Sequence, residues 1–282
     1  MNDGMSRERV IVSLTSYGLR QNNLPTVLDT IFCQTVPPDF LVLNLAYNEV
    51  VPAEVMDYLL SHNVEIHRVN DTKVYKKLIP TLKKYPNDIV ISIDDDWLYP
   101  NGMIADFVEV HKKYPNNPIS GNTLVYAEMI CHCGCASLTK AEYFGSYLDD
   151  MEAVIPNCPC DDIVYTYFAN KAGHPYITSK EMYFTNMTSY NEGIGYSEAV
   201  AGEHGLENSW SYLVDNYGEL PHFPNGYIED IYVSDLIYHI HNSALNEGRK
   251  KAWEEIRATS AYKIGKALLK PLSFVRHNLL KS

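Results

Sequence analysis

Three consecutive carboxylates, Asp94-Asp95-Asp96, end the apolar run Ile89-Val90-Ile91-Ser92-Ile93 and precede Trp97 and Pro100. The run is short, β-branched and bounded, which is the pattern of a strand buried on both faces of a parallel sheet. A strand alternates its side chains, so Asp94 and Asp96 lean one way and Asp95 the other. Two like charges side by side at the end of a buried strand repel each other. A divalent cation relieves that repulsion, and carboxylate oxygens suit hard ions such as Mg²⁺, Mn²⁺ or Ca²⁺. A solvated turn or a helix cap is the ordinary use of a single acidic residue there. Three in a row point instead to a metal or active-site loop, because open α/β sheets bind ligands at the carboxyl ends of their strands.

A second acidic pair, Asp161-Asp162, follows Cys158-Pro159-Cys160 and opens the helical run Ile163-Val164-Tyr165-Thr166-Tyr167-Phe168. One of the two is expected to cap that helix, at the positive end of its dipole. The other is then available as a carboxylate base facing a cleft. Lys76 and Lys77, within DTKVYKK from Asp71, are placed to meet phosphate oxygens as point charges, with a solvated helix face as the competing reading. Cys131-His132-Cys133-Gly134-Cys135 offers zinc donors, yet Cys-x-Cys is tighter than the usual structural-zinc spacing, so buried thiols are expected. His239 and His241 are further candidate ligands, although lone histidines are more often structural.

These residues need a scaffold, and the first hundred residues supply one. Strands are expected over Arg9 to Leu14, Phe40 to Ala46, Val64 to Val69 and Ile89 to Ile93. Helical spacing falls between them: Leu24, Val27, Leu28, Ile31 and Phe32; then Val55, Met56, Leu59 and Leu60; then Leu78, Ile79 and Leu82 within Tyr75 to Tyr85. Strand–helix alternation at this spacing predicts an α/β fold, a mostly parallel sheet with right-handed crossovers. Three polar clusters land at strand ends: Thr15-Ser16-Tyr17, Asn70-Asp71 and the Asp triplet. Neither GxGxxG nor GxxxxGK[ST] occurs, so a dinucleotide fingerprint and a P-loop are both absent. Beyond the helix expected over Met103 to Tyr114 the pattern loosens. No period is readable from 119 to 144, a mobile loop is expected over 180 to 203, and a helix over Glu207 to Tyr217.

At 282 residues the chain is long enough for a full core, and a net charge of -12 argues against general nucleic-acid binding. The charge is uneven: 246–282 hold nine Lys/Arg and three Glu, a balance of +6 that leaves -18 for the rest. That basic, apolar-spaced segment predicts a helical tail (246–282) beside a main domain (1–245), packed on the acidic domain or lying on an anionic membrane surface. The start MNDGMSRERV has no signal-peptide core and no stretch reaches the length of a membrane span, which predicts a cytoplasmic protein, peripheral at most to the inner face of the membrane. The six Cys are then expected to be reduced.

Four stretches, taken in order, resemble bacterial GT-A-type glycosyltransferases of the family 2 kind that build polysaccharides: IVSLTSY, DTKVYKKLIPTLKKYP, ISIDDDWLYP and CPCDDIVYTYFANKAG, with SAYKIGKALLKPL like the ends of several sugar transferases. The resemblance covers most of residues 9 to 245. It implies a GT-A-like, Rossmann-type sheet and transfer of a sugar from a nucleotide-sugar, a UDP-sugar by expectation, to a saccharide or lipid-linked acceptor. It places Thr15, Ser16, Tyr17 and Arg20 with Asp71, Lys76, Lys77, Asp94 and Asp95 around the donor. Asp94-Asp95-Asp96 stands as a DXD motif, with Asp96 and Asp94 toward Mn²⁺ or Mg²⁺. Asp162 or Asp161 stands as the base. The CHCGC stretch departs from the pattern, where relatives often carry a Gly-rich acceptor loop. Two other classes compete: a nucleotidyltransferase, for which the first loop is poor in the Gly and cations that hold a triphosphate, and a non-catalytic carbohydrate-binding protein on the same fold.

Overall fold

In this computed structural model the described residues are 8–126, 129–132, 134–178, 185–186 and 205–220. All belong to the first of two units into which the chain divides, Met1–Asn225 and Gly226–Ser282. The expected basic tail, His239 and His241, and nearly all of the expected loop over 180 to 203 lie outside the described residues.

Elements follow the chain as β1 (Val10–Thr15), α1 (Leu24–Phe32), β2 (Phe40–Ala46), α2 (Ala53–Ser61), β3 (Glu65–Val69), α3 (Ile79–Lys84) and β4 (Ile89–Ile93). There follow β5 (Trp97–Leu98), α4 (Met103–Lys113), β6 (Ile119–Ser120), β7 (Thr123–Tyr126), β8 (Met129–His132) and β9 (Ala136–Thr139). The described chain closes with α5 (Asp150–Ala153), α6 (Asp161–Lys171), β10 (Ile177–Thr178), β11 (Thr185–Asn186) and α7 (Gly205–Tyr217).

The main sheet has seven strands in the order β10-β6-β9-β4-β1-β2-β3. β3, β2, β1 and β4 run parallel. β9 is antiparallel to both β4 and β6, and β10 is parallel to β6. This is the mostly parallel α/β sheet expected from the alternation. The chain leaves β1 in one direction through β2 and β3, then returns to the other side of β1 as β4. The order therefore reverses between β1 and β4, the place where open α/β sheets bind ligands at the carboxyl ends of their strands.

Burial explains why these runs became strands. Ile11, Val12, Leu14, Val42, Leu43, Val90, Ile91 and Ile93 are fully buried, each contributing ~1.5–3 kcal/mol from apolar surface removed from water. α1 begins at Leu24 with Pro25 in its first turn and buries Leu24, Val27, Leu28 and Ile31. The expected helix over Tyr75 to Tyr85 is instead broken into a 3₁₀ turn, Lys73–Lys77, and α3, with Pro80 in the first turn of α3. Pro80 has no N–H and its ring would strike the carbonyl four residues back, so the helix restarts there. The region without readable period holds β6 to β9. Their length, two to four residues each, is too short to display alternation. β9 pairs with β4 so that Ala136 faces Ile93, which brings Gly134-Cys135 across from Asp94. None of the described helices is long and apolar enough to cross a membrane.

Candidate active site

The ends of β1 and β4 are joined across the reversal of strand order. Ser16 Oγ donates to Asp95 Oδ2 at 2.5 Å, and Arg20 Nε donates to Asp95 Oδ1 at 2.9 Å. Arg20 Nη2 also donates to Asp95 Oδ1 and lies 3.1 Å from Asp96 Oδ2. Arg20 sits on the 3₁₀ turn Gly18–Asn23, where Gly18 takes φ +51° in the left-handed region that glycine enters without strain. Its guanidinium lies over the Tyr17 ring, 5.5 Å from the centroid. Burial disfavours the Arg20 charge, but Asp95 and Asp96 more than restore it. Asp95 is buried and held by two residues, and it shares Arg20 with Asp96. The expected alternation, with Asp94 and Asp96 leaning together, does not hold, because β4 ends at Ile93 and the triplet lies in the turn beyond it.

Asp94 turns the other way. Its Oδ1 meets Lys77 Nζ at 2.9 Å, and its Oδ2 accepts from the Cys135 N–H at 3.1 Å. Tyr99 Oη accepts from the Asp94 N–H at 2.9 Å and reaches the carbonyls of Asp94 and Cys135 at 2.9 and 3.0 Å. Lys77 is only 5 % exposed, so it is not on a solvated helix face. Its Nζ stands between Asp94 Oδ1 and Asp161 Oδ2, the latter at 3.0 Å. Its carbonyl accepts from Ser13 Oγ at 2.6 Å, which ties the 3₁₀ turn to β1. Burial opposes the Lys77 charge, and Asp161, Asp94 and Asp162 together hold its pKa well above the ordinary value. Burial likewise opposes ionisation of Asp94, yet Lys77 carries it below the usual carboxylate range.

Neither acid of the second pair is a cap. The N-cap of α6 is Cys160, which makes no side-chain capping bond, and Asp161 and Asp162 occupy the first turn with their carboxylates directed into the site. Burial raises the Asp161 carboxyl to about 6, with Asp162 and Asp94 adding to the shift and Lys77 opposing it. Burial and Asp94 also raise Asp162, against Lys77 and the Gly134 N–H. Asp162 Oδ2 accepts from Gly134 N at 2.8 Å. Its buried Oδ1 has no hydrogen bond and lies 3.5 Å from His132 Nε2. Of the two side chains Asp162 is the more open, 21 % against 11 % exposed.

Asp71 forms a third acidic position. Lys76 Nζ meets its Oδ1 at 2.5 Å and Lys73 Nζ its Oδ2 at 2.7 Å. Burial alone would raise Asp71, but the two lysines hold it below the usual range. Lys76 is buried like Lys77, so the solvated-face reading fails for both. Thr15 Oγ1 donates to the Asn44 carbonyl at 2.7 Å, which fixes the end of β1 against β2, and Tyr17 is exposed beside it. The structure thus ties Ser16, Arg20, Asp95 and Asp96 into one group and Lys77, Asp94, Asp161 and Asp162 into another. His132, the Gly134 and Cys135 N–H groups and Tyr99 were not foreseen as site residues. Only the glycine of CHCGC hinted at them: Gly134 has φ +56° and approaches Asp94 Oδ2, which would lie 3.9 Å from an added Cβ.

No group of three or more His, Cys, Asp or Glu converges as a metal cage among the described residues. Cys131, Cys135 and Cys158 are buried thiols outside any disulfide, as expected. Burial pushes the Cys158 thiol up to about 12. Asp96 is the position that suits a cation. Burial first, then Asp94 and Asp95, lift its carboxyl to about 6 although Arg20 opposes the shift. That is a carboxylate in surplus negative surroundings, and a hard divalent ion held by one or two carboxylates and completed by substrate phosphates fits it. Asp94, whose two oxygens already meet Lys77 and the Cys135 N–H, keeps a second lone pair on each.

The sequence matches no protein-family model and no curated protein. Among solved structures it is similar to the mannosyltransferase PcManGT from Pyrobaculum calidifontis in complex with GDP-Man and Mn²⁺, at 17% identity and TM-score 0.57, over 94% of this chain and 81% of that one. That likeness shows the fold: a GT-A-like, Rossmann-type α/β sheet. Two further solved structures are less similar. Glucosyl-3-phosphoglycerate synthase from Mycobacterium tuberculosis has 12% identity and TM-score 0.48, over 77% and 81%. A 4-diphosphocytidyl-2C-methyl-D-erythritol synthase from Anaerococcus prevotii has 12% identity and TM-score 0.45, over 61% and 88%.

Proposed function

We propose that this chain is a metal-dependent glycosyltransferase that moves a sugar from a nucleotide-sugar to a saccharide or lipid-linked acceptor hydroxyl. The observation that carries the reading is the meeting of Asp94 and Lys77 with Asp161 and Asp162, beside Asp96, at the reversal of strand order in a GT-A-like sheet. One end of that constellation is suited to an anionic donor with its cation. The other holds carboxylates whose proton affinity burial has raised, as a general base needs. The solved mannosyltransferase of the same fold was obtained with a nucleotide-sugar and Mn²⁺, which supports this choice of donor and metal.

In this reading Thr15, Ser16, Tyr17 and Asp71 line the nucleoside, and Arg20 orders the triplet through Asp95. Asp96, with Asp94 behind it, holds Mn²⁺ or Mg²⁺. The ion, when bound, stabilises charge on the departing diphosphate. Lys77, locked between Asp94 and Asp161, serves more as the pin between donor and acceptor sides than as a mobile phosphate ligand. Asp162, the more open of the pair, aligns the acceptor hydroxyl and takes its proton as the bond to the anomeric carbon forms. Attack opposite the diphosphate inverts that carbon. A UDP-sugar donor, a role in bacterial surface polysaccharide synthesis and a cytoplasmic site at the inner membrane face belong to the same proposal. The test is a thermal-shift panel of nucleotides and nucleotide-sugars with and without Mn²⁺. A ligand at a hundred times its Kd adds about 2.7 kcal/mol. Stabilisation by one nucleotide-sugar only with metal is expected, and no shift with any combination contradicts the reading.

A further inference from the structure

We propose that His132 is the proton-holding partner of Asp162: its Nε2 presents a lone pair to Asp162 Oδ1, and the proton taken from the acceptor comes to rest between those two atoms. This rests on the reading of Asp162 as the base.

The tautomer follows from a chain of hydrogen bonds. Ser120 Oγ bonds to the Asn122 carbonyl, which can only accept, so the single hydroxyl hydrogen of Ser120 is spent there. Ser120 Oγ also lies 2.7 Å from His132 Nδ1. Oγ must accept in that contact, and Nδ1 must carry the hydrogen. A neutral imidazole has one N–H, which leaves Nε2 bare. Neutrality is enforced by surroundings. His132 is 1 % exposed, and burial, then Lys77 from the 3₁₀ turn, push its pKa down to about 4, while Asp161 on α6 and Asp94 after β4 pull the other way.

The placement is built rather than incidental. The ring stacks on Tyr176 with centroids 5.7 Å apart. The His132 N–H donates to Thr166 Oγ1 at 3.0 Å, and Thr166 Oγ1 donates to the Asp162 carbonyl at 2.8 Å, so β8 and α6 are fixed in register where the two side chains meet. Nε2 and Oδ1 then face each other at 3.5 Å with no hydrogen between them, and Oδ1 is buried without a donor. One added proton would satisfy both atoms.

Transfer supplies that proton. The acceptor O–H breaks and its electron pair forms the new bond to the anomeric carbon. The bond from that carbon to the diphosphate breaks, and its pair leaves on the diphosphate. The hydrogen goes to the Asp162 carboxyl, and a half-turn of that carboxyl presents it to Nε2. From there it returns to water after product release.

The experiment has two arms. In protein labelled with ¹⁵N-histidine, the resonances that vanish in His132→Asn belong to His132. At neutral pH they should show a protonated Nδ1 and a bare Nε2, whereas a hydrogen on Nε2 overturns the pairing. His132→Asn keeps an N–H for Ser120 and has no atom facing Asp162. It should lower kcat roughly tenfold or more with donor KM within about twofold, and cost nothing further in the Asp162→Asn background. An unchanged kcat, or the same loss in that background, overturns the relay. A bare Nε2 in a protein that transfers no sugar removes the transferase reading and leaves the pairing. A hydrogen on Nε2 in an active transferase removes the pairing alone.

Discussion

The two carboxylate groups of the site are built on opposite plans. Asp95, at the end of β4, is saturated: Ser16 and Arg20 meet both of its oxygens. Asp161 and Asp162, at the start of α6, are under-partnered. Lys77 Nζ meets Asp161 Oδ2 at 3.0 Å, Asp162 retains a buried oxygen without a hydrogen bond, and burial raises both carboxyls. A saturated buried carboxylate holds geometry, whereas an under-partnered one gains by taking a proton. The difference separates the scaffold of the donor side from the chemistry of the acceptor side.

Breaking the under-partnered side should produce the largest effect. Asp162→Asn should lower kcat by ~10²–10⁴-fold, the usual worth of a general base, while the Kd for the nucleotide-sugar stays within about threefold. Loss of donor binding in titration calorimetry would instead make Asp162 part of the donor scaffold.

Breaking the saturated side should cost fold stability. Arg20→Met leaves Asp95 buried with Ser16 alone and should destabilise by ~3–5 kcal/mol, the usual penalty for orphaning one member of a buried pair. Chemical denaturation at neutral pH reads this directly, and a change below about 1 kcal/mol would mean that the pair contributes little.

The sharpest contrast is Asp161→Asn, which should stabilise. Its folded pKa of about 6 lies above the ordinary 3.8. The folded state therefore binds its proton more tightly than the unfolded chain does, so this group's contribution is full below 3.8 and lost as pH rises through about 6. At one unit per ~1.4 kcal/mol, the variant should match wild type near pH 4 and exceed it by on the order of 3 kcal/mol at pH 7. A variant weaker than wild type at pH 7 would show that the Lys77 pairing outweighs the burial. The smallest effect belongs to the periphery. Lys83 meets Asp149 and Glu152 at 2.8 Å each in an exposed setting, and Lys83→Ala should change stability by less than ~1 kcal/mol.

The same division marks what could be read from the chain. β1 to β4 and their helices were legible because four apolar runs alternate with helical spacing, and the Asp triplet declared itself at the end of one run. The split at Pro80 was written in the sequence, but a continuous apolar period concealed it. The acceptor side was opaque because β6 to β9 are too short to alternate. The partners of Asp162 there are backbone N–H and an imidazole that reach it only through the fold. Lys77 was legible as a cation near the site but not as a buried one, since burial of a lysine is decided by two acids 17 and 84 positions away in sequence. Asp161 and Asp162 read as a cap and a base side by side, the cap being the ordinary use of either alone, and only the geometry of Cys160 and Gly134 shows that neither caps.

The measurement that tests the central claim most directly is calorimetric binding of a nucleotide-sugar panel to wild type and Asp96→Asn, with Mn²⁺ and with chelator. The account predicts that one donor binds wild type only with Mn²⁺, that Asp96→Asn loses this metal-dependent binding, and that Asp162→Asn keeps it. Equal donor binding by wild type and Asp96→Asn, with or without metal, would contradict it.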